Sequence, residues 1–77
     1  MTGPTLNFEY ERCFRRPVWP AVLGEQTASQ HLDMQVDDLL AGVGWAQACG
    51  ARLAAVQPQD AVRVMLDPDG HPFCLFM

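Results

Sequence analysis

With 77 residues the chain holds at most one small domain, and a lone core of that size supplies only about 3–5 kcal/mol without staples or a partner chain. The three cysteines, Cys13, Cys49 and Cys74, are odd in number, far apart and outside any zinc-site spacing; this argues against a disulfide framework and for stabilisation by a partner chain. The formal net charge is −4, and the five basic residues are all arginines, so the basic stripe that nucleic acid or an anionic membrane surface requires is missing.

No apolar run approaches the roughly 18 residues of a membrane span. Met1 to Asn7 has neither the charged n-region nor the apolar h-region of a signal peptide, and a cytoplasmic address is expected. The first predicted element is Asn7 to Arg12, where Phe8 and Tyr10 alternate with Glu9 and Glu11 at the period of a strand. Cys13 to Gln30 reads as loop. Pro17 and Pro20 bracket Val18 and Trp19, and the remainder from Gly24 is small and polar. That is long for a connection inside a compact domain, so it is expected to be a linker between modules.

His31 to Val36 is the second strand, with His31, Asp33 and Gln35 on one side and Leu32, Met34 and Val36 on the other. Asp37 or Asp38 then supplies an N-cap. The helix is expected to run to about Cys49, with Leu39, Val43, Ala46 and Cys49 recurring at helical spacing and Gly50 at its C-terminal stop. Gly42 and Gly44 each weaken it by roughly 1 kcal/mol relative to alanine. It therefore leans on tertiary packing, with Trp45 expected to cover part of its apolar side. Arg52 to Val56 is the third strand, closed by Gln57 and Pro58. Ala61 to Leu66 is the fourth, with Val62, Val64 and Leu66 alternating against Arg63 and Met65. Asp67-Pro68-Asp69-Gly70 is a turn, because proline presets φ and glycine accepts a positive one. Pro72 to Met77 is the last strand. The expected fold class is α+β: a single βαβββ module over residues 31–77, preceded by a strand and linker over residues 1–30.

That order carries His31-Leu32-Asp33 ahead of Val36-Asp37-Asp38-Leu39, then Gly50-Ala51-Arg52, then Leu66-Asp67-Pro68-Asp69-Gly70-His71-Pro72-Phe73-Cys74-Leu75. The set resembles the glyoxalase/bleomycin-resistance (vicinal oxygen chelate) superfamily over His31 to Met77. Asn7 to Pro20 looks like the end of a preceding module and the linker after it. The resemblance implies that two such modules pair, their sheets curving into a cup for a metal or a small ligand. An open four-stranded sheet with one helix also leaves unpaired edges and a bare face, which a second copy or a complementary module would cover. A homodimer is the expected assembly, with Asn7 to Arg12 as a segment that copies can exchange.

Metal-dependent members of that family place a histidine on a module's first strand and a glutamate on its last. The first matches His31; the second falls at Cys74, a departure. A thiolate suits soft or borderline metals and cannot replace a hard carboxylate for magnesium or manganese. Two copies of a His31/Cys74 pair would make a four-ligand set for a divalent metal. Cys74 in apolar company also reads as an inert packing residue. His31, Asp33, Arg63 and Glu9 are the candidate ligand contacts: Asp33 shares a face with His31, Arg63 offers a charge to an anion, and Glu9 is a first-module counterpart. Each has a plainer reading as a solvated or self-satisfied strand side chain. Trp19 is expected to plug an edge, His71 to be solvent-exposed, and Asp67 and Asp69 to bond their own turn.

No nucleophile–base pair, phosphate-cradling glycine loop or pair of catalytic carboxylates can be assigned. Three readings of function result. One is a small-molecule-binding protein with a dimeric cup and no chemistry of its own. The second is a metal-dependent lyase or dioxygenase of the glyoxalase type. The third is a truncated half-domain without independent activity.

Overall fold

A computed structural model describes residues 6–28 and 30–77. Its elements follow in the order β1 (Leu32–Gln35), α1 (Leu39–Ala48), β2 (Arg52–Leu53), β3 (Val62–Leu66) and β4 (Pro72–Phe76). They build one four-stranded sheet in the order β1-β4-β3-β2. β1 runs parallel to β4, while β3 is antiparallel to both β4 and β2. The helix is the crossover from β1 to β2, which runs in the same direction at the opposite edge of the sheet. This is the βαβββ module expected from the sequence.

Local chemistry sets the boundaries. Asp38 is extended, and its carboxylate accepts the Ala41 N–H at 3.0 Å, satisfying one of the donors that a helix start leaves free. At the other end Gly50 takes φ of 104°. The Gly50 N–H donates to Gln47 and the Ala51 N–H to Ala46, both at 3.0 Å. That paired closure needs a left-handed residue just past the helix, and glycine adopts it without strain. In the β3–β4 turn, the Asp67 carboxylate accepts the N–H groups of Asp69 and His71, each at 2.9 Å.

Strand register divides the side chains between two faces, since directly paired residues share a face and neighbours alternate. Leu53, Met65, Phe73 and Leu75 lie on one face with Leu32 and Met34. The helix packs there, against β2, β3 and β4 but not β1, and Leu39, Leu40 and Val43 share a cleft with Leu53 and Arg63. Among the described residues Met65 beneath it is the one large side chain fully buried, with Ala54 and Leu75 nearly so, as is Val64 on the opposite face. The opposite face carries no helix.

Four expectations are corrected. Asn7 to Arg12 has no ladder partner, and Phe8 and Tyr10 are 83% and 90% exposed. The segment forms no ladder with either open edge of the sheet, β1 or β2, although Leu6 and Phe8 lie in a cleft beside β1. Trp45 covers nothing and is 75% exposed, because it lies about half a turn round α1 from the packed Val43. The third strand stops at Leu53 rather than Val56: past the Ala54 N–H, which donates to the Val64 carbonyl, the Gln57 side chain and not the backbone bonds Val64. Finally, the segment after Cys13 is no free linker. Arg16 donates to the Pro68 carbonyl at 2.8 Å, the Phe14 ring meets the His71 ring at 5.8 Å, and Pro17 is buried. Among the described residues no helix is long and apolar enough to cross a membrane.

Candidate functional site

The helix-free face gathers the polar residues of β1 and β4. Asp33 and Cys74 are direct partners in the parallel ladder, which puts their side chains side by side. His31 stands two residues before Asp33 on the same side, and its Nε2 lies 3.3 Å from Asp33 Oδ1. One donor atom from each of His31, Asp33 and Cys74 lies within 4.8 Å of the other two. The His31 and Asp33 side chains remain more than half exposed, at 54% and 60%, whereas Cys74 is half-buried.

Burial pushes the Cys74 thiol above its ordinary value of 9.0, and the Asp33 charge and a hydrogen bond to Asp33 push the same way. Each cause disfavours a thiolate beside a carboxylate. Cys74 is therefore held as a thiol near neutral pH and makes a poor nucleophile. A cation would reverse that preference, because metal binding draws the proton from a coordinating thiol. The imidazole, carboxylate and thiol set suits a borderline metal such as zinc, not magnesium or manganese.

The other sequence candidates are placed elsewhere. Arg63 pairs with Leu75 and so stands on the helix side, opposite Cys74. Its Nη1 donates to the carbonyls of Asp60 at 2.7 Å and Val62 at 3.1 Å. Glu9 is exposed on the segment without a ladder partner and lies outside the cluster. His71 is exposed, though stacked on Phe14.

Two features escape a sequence reading. A cleft of about 280 Å³ is lined by Arg16, Trp19, Arg52 and Leu66. Arg52 pairs with Leu66, which pairs with Pro72, so this cleft opens on the same face as Cys74. Alternation of Arg52 with Leu53 was the available signal, but it does not say which side the helix takes. On the helix side, beside β1, Leu6, Phe8, Leu32, Met34 and Phe73 line an apolar cleft of about 450 Å³. Leu32 and Met34 open into it because α1 does not reach β1.

A family model described as "Glyoxalase-like domain" matches residues 3–76, taking in the leading segment and the Cys13 to Gln30 stretch as well as the module. No curated protein and no solved structure gives a significant match. The matched span covers nearly the whole sequence and the element order is βαβββ; the chain belongs to the glyoxalase-like domain family.

Proposed function

We propose that this chain is a small-molecule-binding glyoxalase-like module whose cup is completed by a second copy. The observation that carries the reading is the asymmetry of the sheet. One face is packed under α1, while the other leaves His31, Asp33 and Cys74 together with no helix over them. A second copy laid over this face would enclose those polar groups, and convergent polar groups in a concave site are the usual form of a ligand site. Pairing is supported by the small core: Ala54, Val64, Met65 and Leu75 are buried, while Phe8, Tyr10, Leu23, Leu40 and Trp45 stand exposed. So small a core leaves little stability without a partner. Light scattering across a concentration series tests the assembly. A stable dimer is expected, and a well-folded monomer overturns it. A polydisperse aggregate favours the half-domain reading instead. Ligand screening by NMR on the dimer then tests binding, with shifts expected at His31, Asp33 and Cys74.

The cluster itself favours a second reading, a metal-dependent lyase or dioxygenase of the glyoxalase type. His31, Asp33 and Cys74 would hold the metal, leaving a position open to substrate, and the metal would supply Lewis acidity. Titration with zinc, followed by metal analysis after gel filtration, is the test. Stoichiometric zinc lost in His31→Ala supports this reading, and no retained metal sinks it.

A further inference from the structure

We infer that the ligand of the helix-free face is an organic anion, a carboxylate or phosphate on an apolar, ring-bearing body, and that Arg16 and Arg52 hold its charged end. This rests on the small-molecule reading above and names the ligand class. Five arginines are the only cationic side chains in a chain carrying nine acids, and two of the five line one cleft of about 280 Å³. No carboxylate lines that cleft. The Arg52 guanidinium makes no ion pair or hydrogen bond among the described residues. Two like charges lining one cleft repel, and an oxyanion between them removes that repulsion while accepting their forked N–H groups.

Arg16 is held in place for this. Its stem lies across Gly70, where an added Cβ would stand 2.9 Å from Arg16 Cγ, and Nη1 is fixed on the Pro68 carbonyl. A donor already ordered loses less entropy on binding. Trp19 and Leu66 supply flat and aliphatic walls beside the charges, which fits a ring carrying the acid group. The volume is near the lower limit of about 300 Å³ for ligand pockets, so the body is small.

The two tryptophans give a direct readout, because Trp19 lines the cleft and Trp45 stands exposed on α1. The full-length protein is titrated with benzoate, phenyl phosphate and benzyl alcohol while both indole N–H signals are followed by NMR, assigned with Trp45→Phe. The Trp19 signal is expected to move with at least one anion and the Trp45 signal to stay. Benzyl alcohol should bind at least tenfold more weakly. The tighter of the two anions tells carboxylate from phosphate. Arg52→Gln should weaken anion binding tenfold or more. Arg63→Gln, on the other face, should leave it unchanged, and Arg52→Lys should restore part of it if Arg52→Gln fails to fold. Equal loss in Arg52→Gln and Arg63→Gln overturns the site. So do probes that shift His31 and Cys74 but leave Trp19 still, an outcome that keeps the small-molecule reading. Shifts nowhere overturn both.

Discussion

Gln57 satisfies both backbone groups of Val64: its Oε1 accepts the Val64 N–H at 2.8 Å, and its Nε2 donates to the Val64 carbonyl at 2.9 Å and to Ala54 at 2.8 Å. One side-chain amide thus does beside β3 what a further residue of β2 would do, with both its donor and its acceptor in use. It also joins the loop after β2 to the strand whose Val64 and Met65 form half of the buried core.

Gln57→Ala takes the partner from the Val64 N–H and the Ala54 carbonyl, while the Val64 carbonyl keeps the Ala54 N–H at 3.0 Å, and a loss of about 1–3 kcal/mol is expected by urea unfolding. Gln57→Glu separates donor from acceptor. The carboxylate still accepts from Val64 but faces two carbonyl oxygens, so only its protonated form can donate to either. Its folded pKa is then raised above the unfolded value of about 4.3. Stability is therefore greater below that pH and lost as pH rises through the folded pKa. The Glu variant should lie closer to wild type at pH 4 than at pH 7, and an equal gap at both pH values would refute the assignment.

Gly70 and Arg16 join the Cys13 to Gln30 segment to the module. Gly70 has φ of 88° and is buried under the Arg16 stem. Gly70→Ala must adopt a left-handed conformation that costs an L-residue about 1–2 kcal/mol, and it must also displace Arg16. The expected result is a loss of at least that size by denaturant unfolding, with faster tryptic cleavage after Arg15, since Pro17 blocks cleavage after Arg16. Unchanged cleavage would mean that the segment is held by its other contacts, Phe14 on His71 and the buried Pro17.

These long-range contacts mark the limit of what the sequence carries. The helix cap at Asp38, the Asp67 to Gly70 turn and the strand alternation in Val62 to Leu66 depend on near neighbours, so they are legible in order. Gln57 on Val64 and Arg16 on Pro68 join positions whose proximity is set only once the sheet is assembled. The candidate site divides in the same way. His31 and Asp33 share a side by simple alternation, whereas Cys74 joins them through a parallel register that no local pattern encodes. Arg63 shows the converse. Alternation separates it from Val62 and Val64, but only the position of α1 decides which side is the helix side.

Asp38→Ala tests whether α1, apolar and carrying two glycines, relies on its cap. The side-chain acceptor for the Ala41 N–H is lost, at a cost of about 1 kcal/mol within a usual range of 0.5–2. Asp38→Asn keeps a capping oxygen and should retain most of that stability. Circular dichroism during urea unfolding measures both. Equal midpoints for Asp38→Ala and wild type would show that packing on β2, β3 and β4 alone fixes the helix start.

The Cys74 thiol links the open face to pH. Its pKa is raised above 9.0, first by burial and then by Asp33. A folded pKa above the unfolded one means that this contribution is fully present below pH 9.0 and declines as pH rises through the folded value. Wild type should therefore lose more stability than Cys74→Ala between neutral pH and about pH 10.5. In a Cys13→Ser, Cys49→Ser background, Asp33→Asn removes the adjacent charge and lowers the thiol pKa toward its ordinary value. Alkylation of Cys74 by iodoacetamide at about pH 8.5 should then be faster than with Asp33 intact, since the thiolate is the reacting form. Burial persists in that variant, so the gain is partial. If the rates match, burial alone raises the pKa, and the pairing of Asp33 with Cys74 across the ladder has no electrostatic consequence.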